Sequence, residues 1–400
     1  MKKFLLIAMA LVATFTAKAD TKTYTDGLIV TINDESTDPI ETTVNVETNE
    51  DGTINFILKN FCLGEDIKVG NIEVDNLEVG QAARYGTFLY KGKIDIAPGD
   101  LDGVAEDEYL GPMISPVPVY IKGKINDEKA YLTIDIDMME TLEQIIYVSF
   151  GTDFPALAVE STNYYNENLI VTINEESSDP IAANVTVETL ENGSINFILK
   201  NFQLSEDINV GNIFVEELPL TIGEGFDTFS FKGRIDITPG NIDGVAEETY
   251  LGPFISPVPV DIKGKIRGEK VYLTIDIDMM DMLGQIIYVS FSQDFYSVIY
   301  KANNEVVGVQ NVTVGDKIPG FTYTPESRYT FNGWSSEDGE TYTTMPDHNV
   351  VYVADLTDGI SQIVNAKDAN KALYDLAGRR VTNAAKGIYI VNGKKIMINK

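Results

Sequence analysis

The sequence predicts an all-β protein: two tandem eight-stranded antiparallel barrels, followed by smaller β modules. Three observations support this fold class. Residues 28–154 recur as residues 169–295 at a constant offset of 141 positions with no gap, so one unit is present twice. Each unit is long enough to form a domain with its own core. Within each unit, apolar and polar residues alternate with the period of two that is typical of strands.

The N-terminal residues predict an export signal. Two lysines precede an apolar run over residues 4–15, and Ala17 and Ala19 supply the small residues that a signal peptidase requires. Cleavage is expected before Asp20, so residues 1–19 are the predicted signal peptide. No later stretch reaches the roughly 20 apolar residues that a membrane-spanning helix needs. We therefore expect an exported protein at the cell surface, in outer-membrane vesicles or outside the cell, or otherwise in the periplasm.

The strongly acidic composition limits the partners. A formal net charge of −31 argues against nucleic acid and anionic membrane surfaces, because a protein of the same sign gains nothing from counterion release. Cys62 is the only cysteine, and Gln203 takes its place in the second copy, so disulfides do not stabilise the two units. Each unit must be held together by its core.

Eight alternating runs in the first copy predict eight strands, which the second copy repeats. The runs lie at residues 28–33, 40–47, 53–58, 71–75, 88–96, 119–125, 132–137 and 145–150. Turn-forming pairs such as Asp51-Gly52 and Asn126-Asp127 separate them. Eight antiparallel strands are enough to close an up-and-down barrel, whose interior is filled or holds one small ligand. A two-sheet sandwich is the alternative.

Four short phrases in the first copy carry a family resemblance: LKNF at 58–61, VGNIEV at 69–74, KGKI at 122–125 and YLTID at 131–135. They resemble the calycin-like β-barrel domain of exported Bacteroidetes proteins. The resemblance covers residues 20–155 and 162–295, with a short linker expected at residues 156–164. It implies lipocalin-like barrels in tandem with no agreed ligand, and it carries no catalytic residue.

The candidate ligand-binding residues are glycines and aromatic residues that strand alternation places on the inward face. They are Phe56, Tyr90, Gly92 and Gly123 in the first copy, and Phe197, Phe231, Gly233 and Gly264 in the second. Missing side chains at the glycines would leave room for a small apolar or glycan-like ligand, and the aromatic rings would line that space. The alternative is that the glycines let the sheet bend while the aromatic residues fill the core.

Two connections differ from simple hairpins. About 20 residues join the fifth and sixth strands, which is far more than a hairpin requires. Four acidic residues in this connection offer oxygens for calcium: Asp100, Asp102, Glu106 and Glu108. Their spacing differs from that of an EF-hand, and the second copy has Asn241 and Thr249 at two of the positions, so we expect a loop that covers one barrel end and predict no metal site.

The connection between the fourth and fifth strands varies between the copies. Residues 78–84 and 219–225 share almost nothing, although the surrounding strands are retained. Such a loop has either drifted neutrally on the surface or changed specificity. We expect a ligand to reach the barrel through the end that this connection borders.

The sequence gives little support for enzymatic chemistry. The only histidine, His348, lies outside both copies, so neither barrel can hold a Ser-His-Asp triad or a histidine metal site. Asp135 and Asp137 recur as Asp276 and Asp278, but their strand face is predicted to be exposed to solvent. We therefore expect no enzyme activity and no cofactor.

Two smaller units are predicted after the repeat. Residues 296–356 contain Gly333-Trp334 and Met345-Pro346 and resemble the Listeria-Bacteroides repeat, a β-grasp-like module of surface proteins in which Trp334 would anchor the core. Residues 365–400 are basic and resemble the end of type IX C-terminal sorting domains, which implies contact with export machinery. A plain terminal hairpin or stalk is the alternative.

Together these observations predict an exported, non-enzymatic binding protein for a small apolar or glycan-like ligand. The alternative is a structural or adhesive surface protein whose barrels are filled spacers. The volume of the barrel interiors distinguishes the two.

Overall fold

The computed structural model describes residues 20–64, 67–139, 143–205, 207–358, 362–363 and 372–399. The predicted signal peptide and residues 365–371 of the predicted sorting-like segment lie outside this part of the chain. The described residues form two units. The first contains residues up to 223 together with 227–292, and therefore both copies of the repeat; the second contains residues 224–226 and those from 293 onward.

The first copy forms one continuous antiparallel sheet. Its strands are β1 (Asp20–Ile32), β2 (Glu35–Ser36), β3 (Ile40–Thr48), β4 (Ile54–Cys62), β5 (Lys68–Leu77), β6 (Gly80–Gln81), β7 (Gly86–Ile94), β8 (Val117–Ile125), β9 (Ala130–Met138) and β10 (Gln144–Phe150). Their order is β5-β4-β3-β1-β10-β9-β8-β7-β6, with β2 paired to β1. All eight predicted strands are confirmed, and the single curled sheet rules out the two-sheet sandwich.

The second copy repeats this sheet. Its strands are β11 (Val159–Ile173), β12 (Glu176–Ser177), β13 (Ile181–Leu190), β14 (Ile195–Ser205), β15 (Ile208–Leu218), β16 (Leu220–Thr221), β17 (Asp227–Ile235), β18 (Ile237–Thr238), β19 (Val258–Arg267), β20 (Lys270–Met279) and β21 (Gln285–Phe291). Because β11 already pairs with β13 at Val159, most of the segment expected to be a linker at residues 156–164 is strand.

The long connection between β7 and β8 is ordered by local structure. It contains a 3₁₀ turn (Glu106–Glu108) and helix α1 (Gly111–Ile114); the second copy has the equivalent turn (Glu247–Thr249) and helix α2 (Gly252–Ile255), and a further short helix, α3 (Met280–Leu283), precedes β21. The buried Tyr109 accepts a hydrogen bond from the backbone of Leu101 (2.9 Å), and Asn60 donates to the carboxylate of Asp100 (2.6 Å). In the described residues, no three His, Cys, Asp or Glu side chains are grouped to hold a metal ion.

Within the described residues, backbone bridges join the two edges of each sheet at the end that carries this connection, here called the loop end. In the first barrel, Asn71 and Ala97 form an antiparallel bridge with N–O distances of 2.8 and 3.2 Å. In the second barrel, β15 pairs with β18 at Asn212 and Thr238. No hydrogen-bonded ladder joins β5 to β7, or β15 to β17, within the described residues. Each barrel therefore has a seam along these strands.

Aliphatic and aromatic side chains fill both interiors. Phe56 and Phe88 are buried with ring centroids 6.2 Å apart. The Phe88 ring covers Gly123 so closely that an added Cβ would overlap it, and Phe229 covers Gly264 in the same way. The missing side chain at each glycine therefore makes room for a phenylalanine ring from the neighbouring strand.

The first barrel covers the seam of the second. The guanidinium of Arg84 binds both carboxylate oxygens of Glu217, with Nε 2.6 Å from Oε2, and the backbone N–H of Ala83 donates to the Glu217 carbonyl at 2.6 Å. Glu217 is only 5% exposed. Lys122 binds Asp236 at 2.8 Å, and burial raises the pKa of the Asp236 carboxyl. The two barrels are thus joined through a polar, partly buried contact.

The second unit contains two further sheets. The first comprises β22 (Phe295–Ala302), β23 (Glu305–Thr313), β24 (Tyr329–Ser336) and β25 (Val350–Asp358), in the order β23-β22-β25-β24 with β22 and β25 parallel. Trp334 lies in its aromatic cluster, 4.9 Å from the Tyr300 centroid and 5.1 Å from that of Phe331. The other sheet comprises β26 (Gln362–Ile363), β27 (Leu373–Tyr374), β28 (Arg380–Val381), β29 (Gly387–Val391) and β30 (Lys394–Ile398). The family resemblances of these segments stay predictions.

Replacing Gly123 by alanine is expected to destabilise the protein by about 1–3 kcal/mol, because the added methyl group forces the Phe88 ring out of a packed core. Urea unfolding followed by circular dichroism measures the change. Gly320→Ala is the matched control, since an added Cβ there meets nothing within 4 Å. Equal stability of the two variants would show that the ring is not held against Gly123.

Replacing Arg84 by alanine is expected to cost about 2 kcal/mol, because it leaves the nearly buried carboxylate of Glu217 without its cation. Differential scanning calorimetry should show a lower transition temperature for the barrels. Arg328→Ala is the control, because that side chain is solvent-exposed and pairs with an exposed Glu326 at 3.5 Å. Indistinguishable transitions for the two variants would contradict the structural role of the Arg84 contact.

Candidate functional site

Four of the eight predicted ligand-binding residues lie in the packed interiors. Phe56 and Phe197 are fully buried core residues. Gly123 and Gly264 lie beneath phenylalanine rings. The space that was expected above these glycines is therefore occupied, which corrects that expectation. The alternation of apolar and polar residues correctly predicted that these four residues lie on the inward face. It did not predict which neighbouring side chain packs against the glycines.

The other four predicted residues lie at the seams. The ring of Tyr90 covers Gly92, where an added Cβ would be 2.6 Å from the Tyr90 hydroxyl. Phe231 is 4% exposed, because Gly80 of the first barrel lies against its ring, and Gly233 faces the backbone of Gly80. None of the eight residues lines any of the mouth cavities described next.

Cavities open at the end of each barrel opposite the loop end, here called the mouth. The first barrel has two cavities there, of about 60 and about 190 Å³, which share Lys22, Tyr24 and Asp127 in their linings, whereas the second barrel has a cavity of about 640 Å³. The two mouths are equivalent, because Tyr24 lines both cavities of the first and its counterpart Tyr165 lines the cavity of the second. Val79 and its counterpart Leu220 also line them, so both lie at the end that the variable connection borders.

The second mouth has an apolar floor and a polar rim. The floor is formed by Val187, Ile195, Leu220 and Ile266. The polar and charged side chains of the lining are Asn163, Asn166, Glu167, Thr189, Asp227, Arg267 and Glu269. Such a mixture of apolar surface with a few polar groups is typical of small-molecule sites.

The mouth is a slot because β11 is longer than the strand beside it. β11 pairs with β13 from Val159 to Leu169, but its pairing with β21 begins only at Leu169. The N-terminal half of β11 faces the turn between β19 and β20. The hydroxyl of Tyr165 crosses the slot and donates to the carbonyl oxygen of Gly268 at 3.0 Å. Burial raises the pKa of Tyr165 to about 12, so this donor stays protonated at neutral pH.

In the first barrel a pair of side chains, here called the clasp, spans the same slot. Lys22 of β1 forms an ion pair with Asp127 of the β8–β9 turn. Tyr24 donates to a carbonyl oxygen of that turn at 2.8 Å. The side chains of Lys22 and Asp127 are 38% and 87% exposed, so the clasp lies at the surface. The second copy has Asn163 and Gly268 at the equivalent positions and cannot form this ion pair.

The turn that borders the slot also differs between the barrels. In the first barrel, the side chain of Asn126 accepts hydrogen bonds from the backbone N–H groups of residues 128 and 129 at 2.9 and 3.0 Å. In the second barrel, the strands stay paired as far as Arg267 and Lys270, which leaves a two-residue turn that begins at Gly268. The φ angle of +58° at Gly268 lies in the left-handed region that favours glycine. The first barrel also closes a two-residue turn, through a backbone hydrogen bond of 3.0 Å from Asn126 to Lys129, so the missing clasp is the clearer difference that accompanies the wider mouth.

Charged groups surround the second mouth unevenly. The Arg267 guanidinium lies 3.9 Å from the Asp227 carboxylate, which also accepts the backbone N–H of Gly223 at 3.1 Å. Glu167 shares the inward-facing register of β11 with Tyr165, and Glu269 lies in the turn on the other side of the slot. With three carboxylates and one guanidinium, the lining has a net formal charge of −2.

The lining residues of this mouth were not predicted from sequence, although the end of the barrel was, because alternation indicates the interior of a barrel. A signal was nevertheless present in the internal comparison. Lys22 and Asp127 have opposite charges in one copy, and both charges are missing at Asn163 and Gly268 in the other. A paired loss of this kind indicates two positions in contact.

Comparison with known proteins agrees with the repeat. A family model described as a calycin-like beta-barrel domain matches residues 21–153 and 162–293. A search of curated proteins finds no match. Among solved structures, the crystal structure of a "putative outer membrane protein" from Bacteroides fragilis is 16% identical, covering 68% of this chain and 96% of its own, with a TM-score of 0.24. No helix in the described part of the chain has the length and apolar character to span a bilayer.

Opening the clasp of the first barrel is expected to widen its mouth at little cost in stability. The double variant Lys22→Asn/Asp127→Gly should change the free energy of unfolding by no more than about 1 kcal/mol, because exposed ion pairs contribute little. A crystal structure of the variant should show the cavities of about 60 and about 190 Å³, both lined by the clasp residues, merged into one larger cavity. The exposed pair Lys263–Asp261, at 3.0 Å, serves as the control when changed in the same way. An unchanged first mouth would contradict the role of the clasp.

Proposed function

The chain belongs to the calycin-like β-barrel family, and from this premise we propose that it is an exported, non-enzymatic protein that binds a small ligand at the mouth of its second barrel. The observation that carries the proposal is the cavity of about 640 Å³. Ligand pockets typically measure roughly 300–1,000 Å³. The two cavities of the first mouth, of about 60 and about 190 Å³, are each smaller than this range.

The lining supports a ligand with both apolar and polar parts. Leu220 and Ile266 are partly exposed in the lining, above the buried Val187 and Ile195, and their aliphatic surface favours an apolar group that displaces water. Asn163, Glu167 and Arg267 at the rim can form hydrogen bonds with a polar group that remains near solvent. This combination fits an amphipathic small molecule better than a purely apolar one.

A role in binding rather than catalysis is supported by the residue types at the mouth. Its charged groups are carboxylates and one guanidinium, and its lining contains neither histidine nor cysteine. His348 belongs to the second unit, where its ring contacts Tyr342 at 3.2 Å. Export is supported by the two N-terminal lysines and the apolar run that follows them. A location at the cell surface or in vesicles is compatible with export.

A spacer function is supported for the first barrel alone. Its interior is filled, its mouth is clasped, and its outer face covers the seam of the second barrel through Arg84 and Glu217. We therefore assign the two copies different tasks: the first supports and the second binds.

Binding at the second mouth is tested with the mature chain and Nile red, a neutral apolar dye whose fluorescence increases on leaving water. One dye per chain is expected. Asn163→Trp should weaken dye binding at least tenfold, because the indole fills the slot. Lys22→Trp, at the equivalent position of the first barrel, is the matched control and should leave dye binding unchanged. No dye binding by the wild type, or equal loss in the two variants, would refute the proposed site.

A further inference from the structure

We propose that the ligand of the second mouth is an amphipathic cation, with an apolar tail on the floor of the cavity and an ammonium group between the carboxylates of the rim. This inference rests on the proposed function and adds the charge and orientation of the ligand. It is carried by the placement of charge around the slot.

Two acids of the lining, which form no ion pair with any described residue, lie on opposite sides of the slot. Glu167 is on β11, in the same inward register as Tyr165, and Glu269 is in the β19–β20 turn. The Tyr165 hydroxyl spans these two elements with a single hydrogen bond of 3.0 Å to Gly268. An ammonium group in the slot therefore has a carboxylate available on each side.

The remaining charges at the mouth largely offset each other. Arg267 lies 3.9 Å from Asp227, so its guanidinium is already beside an anion. Lys270 follows the turn but does not line the cavity. What is left at the rim is the charge of Glu167 and Glu269, which attracts a cation and repels a carboxylate or phosphate headgroup. The net charge of −31 on the chain acts in the same direction during the encounter.

A sugar is less well matched, although the polar rim can form hydrogen bonds with hydroxyl groups. The aromatic side chains of the lining are Tyr164 and Tyr165. Tyr165 is buried, with its hydroxyl already engaged. Tyr164 is exposed, so its ring is available to a sugar, but a neutral sugar leaves the charges of Glu167 and Glu269 without a counterion. The apolar floor favours an alkyl chain.

The inference is tested by isothermal titration calorimetry of the mature chain with three amphiphiles of equal chain length: octylammonium, octyl glucoside and octanoate. Octylammonium should bind at least tenfold more tightly than octanoate, and its affinity should fall as salt is added, since salt screens exposed charges. Asn163→Trp should weaken the binding of octylammonium, which ties the binding to this mouth.

Paired variants separate the charge of the site from its shape. Glu167→Gln/Glu269→Gln should remove the preference for octylammonium while leaving the affinity for octyl glucoside unchanged. Asp26→Asn/Glu128→Gln removes the equivalent carboxylates from the first barrel and should have no effect.

Each other outcome overturns the inference. If octanoate or octyl glucoside binds as tightly as octylammonium, the proposed cation is wrong while the proposed binding site stands. Equal loss in the two double variants would show attraction to the acidic surface in general and overturn the inference. If no amphiphile binds, both the inference and the proposed function fail.

Discussion

The packing of a phenylalanine ring over a strand glycine is the constraint on which the rest of each barrel depends. A small curled sheet has little interior volume, and Phe88 and Phe229 occupy the space that Gly123 and Gly264 leave. Burial of one such ring contributes about 1.5–3 kcal/mol. Core side chains pack both interiors in this way, and the cavities described above lie at the mouths.

Duplication of this scaffold produced two barrels with different neighbours. The connection at residues 78–84 places Arg84 and Ala83 against Glu217, so this variable loop joins the barrels. Its counterpart, residues 219–225, ends with Glu224 and Gly225, which belong to the second unit together with Phe226, whose ring lies 5.8 Å from that of Phe295. The sequence suggested neutral drift or a change of ligand specificity for this connection. Contact between the two barrels is a different role from either.

The strands were predictable from sequence, because each alternating run records which face of a strand is buried. The site was not, because it depends on contacts between distant residues. Lys22 and Asp127 are 105 positions apart, and nothing in either local pattern indicates that they meet. The slot itself exists because β11 continues for ten residues, 159–168, before its pairing with β21 begins at Leu169. The alternation of apolar and polar residues predicts which face of the sheet a side chain lies on. It does not predict the length of the neighbouring strand.

The contrast between the clasp and the barrel contact explains why the mouths differ while the scaffold is retained. The clasp is an exposed ion pair, whose loss costs between zero and about 1 kcal/mol, so a copy can lose it and remain folded. Glu217 is nearly buried, and removing its cation leaves an uncompensated charge that costs several times more. The two copies can therefore carry Lys22 and Asp127 or Asn163 and Gly268 at these positions, and differ in the width of the mouth, at little expense in stability.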